Sequence, residues 1–230
     1  IAVDIALLPI RTTAILDAQW ISQFYVAMHA LASRVDSSIS LKRQTQWLAE
    51  QAKGQLPTDS SAAKIYEFVK NQYLNNPDKD DWESTRDAVY QRYQLSAMDG
   101  YTYHQPFDAG INFAASLVSL FYGEGDIKRT VQIGTLAGWD SDNPTATWGG
   151  LLGFMLGKQG VETAFNQTNL SNTYSIHRTR RNFPDQSPNQ LGEDTFANMA
   201  ARDLRTIDRV VVELMQGTVN TETNRWIIPL

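Results

Sequence analysis

The chain predicts an all-α fold, on three observations. Apolar residues recur at i, i+3, i+4 and i+7 over most of its length. The segments with this period start and stop on residues that cap or break helices. No stretch alternates apolar and polar residues for long enough to build a sheet. Only Trp226-Ile-Ile-Pro229, near the C-terminus, has the make-up of a short edge strand.

The elements follow in order. The opening Ile1-Ala-Val-Asp-Ile5 is already helix-like. Residues 14–34 set Ile15, Ala18, Ile21, Ser22, Tyr25, Met28 and Ala32 along one face of a long amphipathic helix. A second runs over 40–53 and is ended by Gly54 and Pro57. Thr58-Asp59-Ser60 then caps a helix bearing Ile65, Phe68, Val69 and Tyr73, which stops at Asn75-Asn76-Pro77. From Trp82 to Tyr93, Trp82, Val89 and Tyr93 are apolar while Glu83, Arg86 and Asp87 face outward. Three apolar segments, 108–122, 126–136 and 144–156, form the core set. A polar, irregular stretch spans 166–192, and a last long helix starts at Asp194 or Thr195 and ends at Gly217. No repeat and no second-domain boundary is visible, so residues 1–230 read as a single helical domain.

Composition narrows the function classes. With 42% hydrophobic residues the chain can bury a sizeable core, and a net charge of −5 argues against coating nucleic acid. It contains no cysteine, which excludes disulfides, thiol catalysis and thiolate metal sites in this chain. Asn166-Gln-Thr168 and Asn169-Leu-Ser171 are glycosylation sequons and lean the localisation towards secretion.

Most of the chemistry sits in Gly138-Trp139-Asp140-Ser141-Asp142-Asn143-Pro144-Thr145-Ala146-Thr147-Trp148. Asn143 suits an N-cap and Pro144 the first helical position. Asp140 and Asp142 then stand on a short turn before an apolar, small-residue helix. Oxygen ligands on a rigid turn suit a hard divalent cation such as magnesium. The other reading is a capping turn with one extra surface acid.

The run from Asn112 to Asp126, with its Gly123-Glu-Gly-Asp126 turn, and the run from Thr130 to Asn143 together resemble the ADP-ribosylglycohydrolase superfamily. That family's acidic signature is matched by Asp140, Asp142 and Asn143. Ala146, Thr147, Gly150 and Gly153 fit its small-residue helix. The resemblance is most specific over residues 107–160. It implies an orthogonal helical bundle with two magnesium ions at its centre. Those ions would hold ribose hydroxyls and a water during hydrolysis of a glycosidic bond. Asp140, Asp142 and Asn143 would be metal ligands. Asn143 replaces the family's common threonine and so removes a hydroxyl ligand.

The family's second metal motif, of Thr-Asp-Asp type, has no match here. Asp80-Asp81, the only adjacent aspartate pair, follows Pro77 and Lys79 and reads as a solvated turn. The expectation is therefore a C-terminal part of a larger domain. Its N-terminal metal-binding half would lie outside this chain, and a second polypeptide segment would complete the magnesium site.

Other polar residues carry two readings each. Asn112 aligns with an inward family position that orients a ligand, or is a satisfied buried amide. Asp108 is a site acid or an N-cap. His104 lies on a loop near the site, functional or merely exposed. Trp139 and Phe107 stack on a base or sugar, or simply pack, and Ser141 lies between the two acids where substrate would pass. His177-Arg-Thr-Arg-Arg181 either grips a diphosphate or forms a solvated loop. No residue presents itself as the general acid. Three functions follow: a magnesium-dependent ADP-ribosyl or related glycosidic hydrolase, a lapsed relative that binds without turnover, or an unrelated helical interaction domain.

Overall fold

A computed structural model describes residues 1–175 and 193–229. It is mostly helical, as the sequence predicts. The chain divides into two compact units, Ile1–Gln167 and Thr168–Leu230, where the sequence marked no boundary.

The first unit contains α1 (Ala2–Arg11), α2 (Asp17–Leu31), α3 (Leu41–Ala52), α4 (Ser61–Asn75), α5 (Glu83–Val89), α6 (Ala109–Gly123), α7 (Ile127–Leu136) and α8 (Asp142–Phe165). The caps follow sequence logic. Ser40, Ser60 and Asp126 accept hydrogen bonds from the amides of Arg43, Ala63 and Arg129 at the heads of α3, α4 and α7. α5 runs on into a π-helix over Tyr90–Leu95 instead of continuing to Tyr93 as an α-helix. α8 starts earlier and ends later than expected, and is interrupted at Gly157, whose φ is +66°.

The centre of this unit is α6. Every residue from Gly110 to Gly123 is buried, so the helix is surrounded on all sides. An apolar helix of this kind cannot be amphipathic and must be the hub of a bundle. Aromatic rings fill the space around it. Phe24 meets Phe113 edge-on at 5.1 Å between ring centres, and Tyr25 meets Trp148 at 5.4 Å. Trp148 is fully buried, its indole N–H donating to the Ser116 carbonyl at 2.8 Å.

The turn from α6 to α7 is locked by sequence. Gly125 has φ +82°, and a Cβ there would stand 2.6 Å from the backbone of Leu41 and Lys42. Only glycine fits both the left-handed conformation and the close approach. Next to it Glu124 accepts from Tyr73 Oη at 2.6 Å and Lys42 Nζ at 2.7 Å, joining the turn to α3 and α4.

The second unit holds α9 (Phe196–Glu213) and two small antiparallel hairpins. In one, β1 (Thr173–Ser175) pairs with β2 (Glu193–Thr195). In the other, β3 (Thr218–Asn220) pairs with β4 (Arg225–Ile227). The expected C-terminal edge strand is β4, with Trp226 opposite Val219. Asp194 is nearly fully buried. Bonds from Asn198, the Thr195 amide and Arg202 hold its carboxyl down to about 2. The expected basic cluster at 177–181 lies outside the described residues.

Glu124 supplies a pH test of the α6–α7 lock. Burial alone would raise its carboxyl, but the hydrogen bonds from Lys42 and Tyr73 outweigh this and hold it below its ordinary value. Its stabilisation is therefore full above the unfolded-state value and is lost as pH falls through the lower folded value. Glu124→Gln should cost about 1 kcal/mol at pH 7 in urea unfolding, given its partial exposure. The gap from wild type should narrow only as pH falls below the ordinary glutamate value of about 4.3.

Candidate functional site

The acidic turn between α7 and α8 is shaped by two consecutive left-handed residues, Gly138 at φ +98° and Trp139 at φ +54°. A tryptophan takes this conformation only where its surroundings enforce it. After this reversal the Asp140 amide donates to Asn112 Oδ1 at 2.9 Å. Asn112 sits in the first turn of α6, almost fully buried. Its Nδ2 donates to the carbonyls of Pro106 at 2.7 Å and Asp108 at 2.9 Å. One amide thus ties together the loop before α6, the head of α6 and the acidic turn. It is the satisfied buried amide of one sequence reading, and it also lines the cavity of the other.

Asn143 is not the N-cap. Its amide donates to the Asp140 carbonyl at 3.1 Å, so the helical turn begins earlier, with Ser141 at the cap position and Asp142 as the first helical residue. Pro144 accordingly stands third, buried. This register leaves the Asn143 side chain on a cavity of about 290 Å³. Asp140, Asn112, Phe107, Ala109 and Thr147 share its wall, and Ala14, Ala18, Ile21, Ser22 and Tyr25 complete it from the α2 side. The Tyr25 hydroxyl is 2.7 Å from Ser116 Oγ, and burial pushes the phenol far above its usual range, so it stays neutral.

Asp140 and Asp142 stand close enough to interact directly. A hydrogen bond to Asp142, slight burial and the neighbouring charge together hold the Asp140 carboxyl above its ordinary value. A cation between them would reverse that shift. The donors are all hard oxygens, as magnesium takes, and magnesium is commonly held by one or two carboxylates with waters and substrate. The set offers the right kind of donor for such an ion but is incomplete by itself: among the described residues no group of three or more His, Cys, Asp or Glu side chains gathers to hold a metal. Asp17, the acid at the head of α2, is turned to the Ala62 amide of α4 at 2.8 Å.

The remaining candidates divide. Phe107 is well exposed at the cavity edge. Asp108 holds the N-cap position of α6 but makes no side-chain bond to the helix. Its carboxylate accepts instead from the amides of His104 at 2.6 Å and Gln105 at 3.2 Å. The His104 side chain is exposed, with Nδ1 3.5 Å from Asp108, and neither residue lines the cavity. Trp139 turns its indole to Gln94, and Ser141 contributes a carbonyl to Thr145 Oγ1 at 2.7 Å. Asp80 pairs with Arg129 at 2.7 Å, and Asp81 Oδ1 accepts the Ser84 amide, as expected of a turn opening a helix.

The ADP-ribosylglycohydrolase family model matches residues 2–191. The chain belongs to this family. No curated protein and no solved structure matched it. Membership suggests glycohydrolase activity on ADP-ribosyl substrates. The match includes α2, whose Ser22 and Tyr25 sequence reasoning treated only as helix-face residues. A serine or tyrosine on an amphipathic face carries no signal of a cavity until the packing is known.

The clamp made by Asn112 can be tested without a ligand. Asn112→Ala removes three hydrogen bonds from a buried site and should destabilise the protein by about 1–3 kcal/mol. Hydrogen exchange at the Asp140 amide should accelerate beyond that of the amides in α8. Unchanged protection at Asp140 would mean the turn is held by other contacts.

Proposed function

We propose that the chain cleaves the N- or O-glycosidic bond of an ADP-ribosylated or related ribosyl substrate, with magnesium held at the acidic turn. The observation that carries this reading is the acidic turn: Asp140 and Asp142 stand side by side on a turn pinned by Asn112, and Asp140 and Asn143 line a cavity. At about 290 Å³ that cavity lies at the small end of ligand sites and suits one sugar ring better than a dinucleotide.

Asp140, Asp142 and the Asn143 carbonyl would hold the ion. Bound there, magnesium supplies orientation of ribose hydroxyls and acidification of a water. The chain's own groups do the rest of the binding. Ser22 and Thr147 offer hydroxyls to a sugar from two walls of the cavity, and Phe107 offers an exposed ring face at its edge. Neutral Tyr25 is a hydrogen-bonding group and not a base. In this reading the remaining metal oxygens and the general acid come from a second polypeptide segment.

A binding protein without turnover is the second reading. The apolar side chains of Ala14, Ala18 and Ile21 in the wall and the commitment of Asp17 to α4 favour it.

Calorimetric titration with Mg²⁺ and ADP-ribose, beside an assay of release from ADP-ribosylated peptide, separates the two. The hydrolase reading expects Mg²⁺-dependent turnover, and Asp140→Ala should lower kcat/KM on the order of 100-fold or more. Metal-independent ADP-ribose binding with no turnover would select the second reading. Absence of both binding and turnover would remove each of them.

A further inference from the structure

The left-handed Trp139 needs a constraint, and the structure supplies one from the π-helix at Tyr90–Leu95. Turns of this type are rare and occur frequently at functional sites. Three successive side chains in it are committed. Arg92 makes paired bonds to Asp99 at 2.8 and 3.0 Å, and the buried Tyr93 hydroxyl donates to the same carboxylate at 2.9 Å. Gln94, next in line, accepts the Trp139 indole N–H on Oε1 at 2.8 Å. The Trp139 ring itself packs on the core, so its one polar atom is spoken for by Gln94. The acidic turn is thereby held at two consecutive residues from two directions. Gln94 grips the side chain of residue 139, and Asn112 grips the main chain of residue 140.

We propose that Gln94 is a positioning residue for the acidic turn: through Trp139 it sets the direction in which Asp140 and Asp142 present their oxygens to a divalent cation. The role in cation binding rests on the hydrolase reading above; the mechanical role does not. Gln94 touches neither the cavity nor the acids, so it acts through Trp139 alone. Residues that orient metal ligands from behind cost about 10- to 100-fold in affinity when removed.

The test uses the full chain, labelled with ¹⁵N. The chain has six tryptophans, and the Trp139 indole signal is assigned by its loss in Trp139→Phe. Gln94→Leu should move that signal and accelerate hydrogen exchange at the Asp140 amide. It should also weaken Mn²⁺ binding, read from paramagnetic broadening around Ser141, by about 10-fold. Trp139→Phe removes the same bond from the other side, so the double variant should be no weaker for Mn²⁺ than either single one. Gln94→Glu keeps the length and the acceptor and should restore the indole position and the Asp140 protection. An unmoved Trp139 signal with unchanged Asp140 exchange in Gln94→Leu would overturn the proposal. So would Mn²⁺ losses that simply add in the double variant. If Gln94→Leu does not fold, Trp139→Phe and Gln94→Glu carry the same comparison. Wild-type protein that binds no Mn²⁺ would sink the cation reading, while the indole and amide signals still decide whether Gln94 sets the turn.

Discussion

Everything in the first unit depends on the complete burial of α6. A helix with no solvent face has no place to hide a polar side chain, so each one must be answered by a neighbour. Asn112 is answered by the loop before the helix and by the acidic turn. Ser116 meets Tyr25 of α2, and its carbonyl takes the Trp148 indole of α8. Ser119 donates to the Thr130 carbonyl of α7 at 2.7 Å, and Tyr122 lies 2.6 Å from the Thr85 hydroxyl of α5. These contacts do more than satisfy polar atoms. Apolar packing tolerates small slides, whereas a hydrogen bond in a dry interior does not, so the polar residues of α6 fix the register of α2, α5, α7 and α8 around it.

The acidic turn inherits its geometry from that arrangement. α7 packs on α6 and α8 packs on both, so the chain must reverse in the few residues between Leu136 and Asp142. Two left-handed residues achieve the reversal, one a glycine and one a tryptophan held by its indole. The reversal brings two carboxylates together at the positive end of α8, where the helix dipole favours negative charge. There the hydrogen bond to Asp142 and slight burial, with the neighbouring charge adding to them, hold the Asp140 carboxyl above its ordinary value.

Much of this was legible in the sequence. The 3.6-residue period found α2 to α5 and α7 to within a few residues, since their faces differ in polarity, while α6 was marked by its near-continuous apolar run. Ser40, Ser60, Asp126 and Thr195 cap where their side-chain chemistry says they should. The sequence also marked Phe107, Asn112, Asp140 and Asn143, which the fold gathers round one cavity. Other features depend on contacts distant in sequence. The π-turn at Tyr90–Leu95 has no local signature; its side chains engage Asp99 and, far along the chain, Trp139. The start of α8 moved ahead of Asn143 because the Asp140 carbonyl captures the Asn143 amide, a choice propensity alone does not make. Asp108 looked like a helix cap and occupies the right place, yet the amides of His104 and Gln105 compete successfully for its carboxylate. The boundary near Gln167 was invisible because polar loop composition is the same within a domain as between domains.

The two sides of the cavity differ in kind, and the difference bears on what the site can bind. On the α8 side the main chain that carries Asp140 is pinned at its amide before any ligand arrives, so less backbone entropy remains to be lost there when a ligand engages. On the α2 side the wall is mostly small and apolar, offering shape and a single exposed class of donor, the hydroxyl. A rigid acidic face opposed to a neutral one binds a ligand that brings its own cation-coordinating oxygens, as a ribose diol does, more readily than one that is itself strongly anionic. A phosphate placed in the same cavity would meet Asp140 with no basic side chain in the wall to offset it. In the proposed reading the cavity therefore takes the sugar, and any diphosphate is held elsewhere.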